Sequence, residues 1–180
     1  MSIQIIKQET FEGCLPVCLF GISGIKSSKE KELDLLIKGL TKNRDTYYTF
    51  NVILSFIESY DLEIDLFVDI KPYANYLSKF NNDHRLKIAH QAINERFIHN
   101  QKNPFILYID QYEINKYTHA PHFIIVEEQD DEYMYIIDPW KGERIKLPKE
   151  VILNSIQELK TCFFFSPLLI TLKQKKETYE

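Results

Sequence analysis

The sequence has no basic excess, no long apolar run, few cysteines and no internal repeat, and each shortage removes a class of function. Its 22 Lys and Arg stand against 26 Asp and Glu, for a formal net charge of −4. A protein that grips phosphate backbone presents a basic face, so nucleic acid is not an expected partner. The longest mostly apolar run, Phe163 to Leu172, is broken by Ser166, Pro167 and Thr171. It falls far short of the roughly 18–20 residues of a membrane span. The opening Met-Ser-Ile-Gln-Ile-Ile-Lys carries no apolar stretch of signal-peptide length. These absences set the expectation of a cytoplasmic protein without a membrane partner. The three cysteines, Cys14, Cys18 and Cys162, are too few, and odd in number, for a disulfide-stapled secreted domain. None forms a Cys-x-x-Cys pair or a zinc-finger cluster with histidine, so no metal or organic cofactor is expected.

What is present suits one globular domain. The chain has 180 residues, 44% of them hydrophobic, with 12 Phe and 11 Tyr. Residues 1–172 are expected to form a single domain and residues 173–180, where apolar residues nearly vanish, a disordered tail. The front half has helical periodicity. Ser27 and Glu30 are spaced as a capping box ahead of Leu33, Leu36, Ile37 and Leu40. A deeper helix follows Asp45, with Phe50, Ile53, Leu54, Ile57 and Tyr60 in phase and Val52 and Phe56 widening the apolar face. Leu62 to Val68 alternates as a strand, and helices are expected over Pro72 to Phe80 and Asp83 to His99. The back half has strand texture: Phe105 to Ile109, Phe123 to Val126, Tyr133 to Ile137, Glu143 to Leu147 and a long final strand from Thr161 to Leu172. A helix from Pro148 to Leu159 interrupts it. Helices first and an antiparallel sheet afterwards make an α+β fold.

One cysteine has a special setting. In Gln8-Glu-Thr-Phe-Glu-Gly-Cys14-Leu-Pro-Val-Cys18, Pro16 fits a first helical turn and Gly13 permits a sharp entry. Cys14 then lies at a helix amino terminus, where unpaired N–H groups and the helix dipole favour a thiolate. A folded-back loop would bring the Gln8 amide beside the sulfur, and with the Cys14 backbone N–H it would make a two-donor oxyanion hole. A nucleophile of this kind needs an imidazole and a group to orient it. His84, His90 and His99 fall on the polar helix expected after Asp83 and read as solvated. His122 opens the strand Phe-Ile-Ile-Val, and Asp138 closes the next strand, Tyr-Ile-Ile-Asp-Pro. An odd hairpin loop centred on Asp130 sets position 122 opposite 138, on one face; a one-residue slip sets them on opposite faces. His119 is the rival base. The acidic run from Glu127 to Glu132 lacks the calcium-loop pattern and reads as a solvated hairpin tip.

Gln–x5–Cys at the head of a helix, a His opening an apolar strand, and Ile-Asp-Pro-Trp-x-Gly on the following strand resemble the papain-like cysteine peptidases. Within them the chain is most similar to the double-glycine-leader (bacteriocin-processing) branch, over roughly residues 4–160. Gly13 and Leu15 stand where that branch usually has an acidic residue and a glycine. The resemblance implies a papain-like fold with Cys14 as nucleophile, His122 as base, Asp138 as its orienting partner and Gln8 as oxyanion donor. The expected activity is that of a peptidase or amide hydrolase, an acyl-transfer enzyme that takes a peptide, or a small amide or acyl substrate, through a Cys-His-Asp triad and a thioester. A cysteine acyltransferase or transpeptidase, or a catalytically silent papain-like binding module, are the alternatives. Substrate identity and oligomeric state are not legible in the chain.

Overall fold

The computed structural model describes Ile3 and residues 7–173. Three helices come first: α1 (Cys14–Ser23), α2 (Lys29–Thr41) and α3 (Tyr48–Tyr60). Then follow β1 (Ile64–Val68), α4 (Lys71–Phe80), β2 (Leu86–His90), α5 (Glu95–His99), β3 (Phe105–Asp110), α6 (Tyr112–Asn115), β4 (Pro121–Gln129), β5 (Tyr133–Asp138), β6 (Glu143–Pro148), α7 (Lys149–Phe163) and β7 (Leu168–Leu172). The strands make one seven-stranded sheet in the order β2-β1-β7-β3-β4-β5-β6. Only β1 and β2 run parallel; every other neighbouring pair is antiparallel. The α+β expectation holds, although two of the seven strands come from the front half.

Each face of the sheet carries a core. On one face α1 and α3 cover Leu66, Ile106, Phe123, Ile125 and Ile137, with Phe20, Phe56 and Tyr60 edge to face or tilted at centroid spacings of 5.0–5.6 Å. On the other face α7 lays Ile152 and Ile156 on Phe105, Leu107, Ile124 and Ile136. The long apolar run of α3 sits deep, as its composition requires: every residue from Phe50 to Ile57 is buried.

Three expectations are corrected. The stretch Asp83–His99 is not one helix. Leu86-Lys-Ile-Ala-His alternates and pairs with β1, and Asn94 starts a separate short helix by accepting the Phe97 N–H. Strand pairing outbid a weak helical stripe. The final strand is short because α7 continues through Phe163 before the chain turns back at Phe164, whose φ is 55°. In α2 the N-cap is Ser28, which accepts from the Lys31 N–H, and not a Ser27–Glu30 box. The buried face of α2 is Glu32, Leu35, Leu36 and Gly39, leaving Leu33, Ile37 and Leu40 exposed. The expected tail lies outside the described residues except for Lys173, whose N–H is held by the Glu63 carbonyl at 3.0 Å. Among the described residues no helix is long and apolar enough to cross a membrane.

Gly39 sets the orientation of α2. A Cβ there would stand 2.5 Å from Val52 Cγ2 and 3.2 Å from the Tyr48 ring, so α2 and α3 touch where only glycine fits. Gly39→Ala should therefore lower stability to urea by about 1–3 kcal/mol through overpacking. At an unconstrained helical site the same change adds about 1 kcal/mol. An unfolding midpoint shifted upward would refute this contact.

Candidate active site

Cys14 is the first residue of α1 and is half-buried. Gly13 precedes it as an N-cap with no side-chain cap, and the first turn contains no acidic residue. The helix-start N–H groups therefore face no competing carboxylate from the first turn itself. The approach to Cys14 is held from α2. The Glu32 carboxylate, 1% exposed, accepts from the Glu9 N–H at 3.0 Å and from the Thr10 and Ser27 hydroxyls, each at 3.3 Å. Its Oε2 lies 2.6 Å from where a Cβ on residue 13 would be. Glycine at position 13 thus leaves room for a carboxylate delivered from elsewhere in the chain. Burial raises the Glu32 pKa against the opposing effect of these donors. Sequence reading missed Glu32, because a glutamate in a helix's first turn reads as a cap; its one signal is that it falls on the buried stripe.

The imidazole and its carboxylate meet through the β4–β5 hairpin. Near the tip Gln129 faces Met134 and Glu128 faces Tyr135. Carried on, that register puts His122 and Asp138 on opposite sides of the sheet. A shift between Val126 and Glu128 corrects it, and beyond it Val126 faces Ile136 and Ile125 faces Ile137. His122 and Asp138 are consequently diagonal neighbours and not direct partners, which corrects the simple register read from the sequence; the bulge supplies the missing residue. His122 Nε2 donates to Asp138 Oδ1 at 2.8 Å, and both side chains are about 6–7% exposed. The Trp140 N–H donates to the same oxygen at 2.9 Å. Burial works against the charged ring, but its hydrogen bond to Asp138 and the nearness of the Cys14 side chain outweigh it, raising the His122 pKa from 6.5 to about 9. Burial likewise opposes the Asp138 carboxylate, yet His122 and the Trp140 N–H carry it below the usual carboxylate range. With Nε2 on Asp138, Nδ1 is the ring nitrogen left for the sulfur.

Cys14, His122 and Gln8 line one cleft of about 580 Å³, with Phe11, Leu15, Tyr48, Tyr108, Phe123, Trp140 and Phe165 among its walls. Phe11 and Trp140 meet edge to face at 5.7 Å on the rim, and both are exposed. Gln8 is buried, and its backbone N–H donates to the Pro139 carbonyl at 2.8 Å, tying the loop before α1 to the turn after Asp138. Its side-chain Nε2 donates to Thr10 O at 2.9 Å and Phe11 O at 3.0 Å, while Oε1 is buried without a partner. The other sequence candidates separate cleanly. His84, His90 and His99 are exposed, and His119 pairs with Asp110 at 2.6 Å, outside the lining of this cleft. Cys18 is fully buried in the core, where burial raises its thiol pKa, and Cys162 is exposed.

A sheet covered by helices on both faces, with a cysteine heading one helix and a histidine–aspartate pair at the strand ends across the cleft, has the architecture of a papain-like cysteine peptidase. The sequence model of the peptidase C39 family matches residues 73–163, just over half of the chain, and the chain belongs to that family. The matched segment contains His122 and Asp138; Gln8 and Cys14 lie upstream of it. The fold is similar to the crystal structure of the peptidase domain of Streptococcus ComA, a bi-functional ABC transporter involved in a quorum sensing pathway. The two share 14% identity, covering 94% of this chain and 97% of that domain, with a TM-score of 0.55. No curated protein matches the chain.

The raised pKa of His122 has a definite consequence for stability. A group charged more readily in the folded state stabilises it fully below its unfolded pKa near 6.5, and that gain is lost as pH rises through about 9. NMR titration of the His122 ring should accordingly give a midpoint near 9, and Asp138→Asn should lower it. A midpoint at or below 6.5 in the unaltered protein would contradict the geometry.

Proposed function

We propose that the protein is a peptidase or amide hydrolase that works through Cys14, His122, Asp138 and Gln8. The observation that carries this reading is the His122 ring, held by Asp138 through Nε2 and lining one cleft with Cys14. His122 takes the Cys14 proton through Nδ1, and Asp138 supports the resulting imidazolium. The thiolate attacks the substrate carbonyl carbon, and the oxyanion is met by the Cys14 backbone N–H and by Gln8. The carbon–nitrogen bond then breaks, His122 gives its proton to the leaving amine, and a thioester remains on Cys14. Water, deprotonated by the now neutral His122, hydrolyses the thioester and regenerates the thiol.

Gln8 contributes on one condition. Both of its amide hydrogens are engaged by loop carbonyls at rest, so donation to an oxyanion replaces one of those bonds as the tetrahedral centre forms. This arrangement also favours the second reading, a silent binding module whose Gln8 serves only to brace the loop. The substrate class follows from the walls. An aromatic cleft that shares Tyr48, Thr49, Tyr108 and Phe165 with a neighbouring apolar hollow of about 360 Å³ suits a peptide with apolar side chains beside the scissile bond. Family membership and the likeness to a peptidase domain support a peptide over other acyl donors. No residue of the cleft selects an amine or thiol acceptor, so water is the acceptor we assign and acyl transfer to an amine or thiol the alternative.

The hydrolase reading predicts that a small thiol alkylator at neutral pH labels Cys14 faster than Cys162, leaves Cys18 unlabelled, and loses its Cys14 preference in His122→Ala. Cleavage of apolar peptides should vanish in Cys14→Ala and fall about 10²–10⁴-fold in kcat/KM in His122→Ala. In Gln8→Ala an oxyanion role lowers kcat by about 10²–10³ with KM little changed. Equal labelling of Cys14 and Cys162 together with no cleavage would establish the binding module instead.

A further inference from the structure

A second constellation of sulfur, imidazole and carboxylate stands outside the cleft. Asp110, the last residue of β3, is fully buried; its Oδ1 accepts the backbone N–H groups of Tyr112 at 3.1 Å and Ala120 at 3.0 Å. Its Oδ2 accepts from His119 Nδ1 at 2.6 Å. The His119 ring is exposed on its other side and stacks on Tyr112, with centroids 4.3 Å apart and planes 18° from parallel. Cys162, in the last turn of α7, completes the group: one donor atom from each of Asp110, His119 and Cys162 lies within 4.8 Å of the other two. Among the described residues this is the one group of three or more metal-ligating side chains so disposed. An independent feature adjoins it. Glu158 precedes Cys162 by four positions on α7 and so shares its helix face, and Glu158 Oε2 is buried without a hydrogen-bond partner.

We propose that this cluster is a binding site for a borderline-soft divalent metal ion of the zinc class. Asp110 has spent both oxygens, two bonds on the backbone and one on His119, so it acts as the carboxylate that orients a ligating imidazole from behind. That leaves His119 Nε2 outward as a ligand, with the Cys162 thiolate as the second. The Glu158 carboxylate, one helical turn before Cys162 on α7, becomes the third when its side chain turns to the ion, and the fourth tetrahedral position is open to water. The donor set of sulfur, nitrogen and a single carboxylate disfavours magnesium and calcium, which take oxygen cages. Binding releases the Cys162 proton, so affinity rises with pH. The site joins the end of α7 to the 111–120 segment, and Gln111, Thr118, Ala120, Pro121 and Phe165 beside it line the Cys14 cleft. A bound ion therefore fixes one wall of that cleft. The proposal does not depend on Cys14 being catalytic.

The test uses the full chain carrying Cys14→Ala, so that the cleft thiol cannot contribute. After loading with Zn²⁺ and buffer exchange, elemental analysis should find about one zinc ion per chain, and Co²⁺ in its place should show a thiolate-to-cobalt charge-transfer band. Cys162→Ser and His119→Ala, both at exposed positions and both checked for folding by circular dichroism, should each weaken retention at least about tenfold. The cobalt band should vanish in Cys162→Ser. Failure of the Cys14→Ala chain to retain zinc, or retention unchanged by either substitution, would overturn the assignment.

Discussion

The hydrogen bond between His122 and Asp138 is the constraint around which the candidate site is organised. It exists because two strands of a hairpin deliver residues 16 positions apart to one side of the sheet, and the hairpin as it starts at the tip would not do so. The register shift between Val126 and Glu128 changes which residues share a face, and the benefit appears four residues further on at His122. The same shift explains how a strand whose Ile124, Ile125 and Val126 are all buried between two cores also ends in a polar, positioned imidazole. Both members are removed from water, so each depends on the other for its charge. This is why the pair is perturbed in opposite directions, the ring upward and the carboxylate downward.

Cys14 comes to the same cleft as His122 from the other end of the sequence, by a separate set of contacts. Helix α1 rests on β4 through the core that includes Leu15, Leu19, Phe123 and Ile125. The approach to its first residue is fixed by a buried carboxylate on α2 and by the backbone bond from Gln8 to Pro139, directly after Asp138. Glu32 thus does from the side what a residue at position 13 would do from within the loop, and Gly13 is small so that it can. The candidate cleft is assembled from three independent placements: helix α1 on the sheet, the α2 carboxylate on the loop, and the loop on the turn after β5.

Much of this was legible in the residues. Cys14 before Pro16 marked the helix start, the apolar run of α3 marked a buried helix, and the strands from Phe105 to Leu147 were bounded by turn chemistry that local sequence controls. The likeness to papain-like cysteine peptidases rested on short motifs at both ends of the chain, and family membership agrees with it. What escaped was decided by distant contacts. Leu86 to His90 becomes a strand only because β1 offers it an edge. The face of α2 turned inward only because Gly39 lets α3 approach, leaving three leucine and isoleucine side chains in water. A bulge has no composition of its own, so the alignment of His122 with Asp138 could be permitted by the sequence but not located in it. Glu32 and the Asp110–His119 pair were invisible for the same reason, each joining residues through folded space.

The central claim is that the Cys14 sulfur and the His122 ring form one electrostatic unit. The most direct measurement is the NMR titration of His122 before and after Cys14 is capped with a neutral carboxamidomethyl group. Capping removes the sulfur as one of the two partners that raise the ring's pKa, so the His122 midpoint should fall from near 9. A midpoint that does not move on capping would show that sulfur and imidazole do not interact, and would contradict the account.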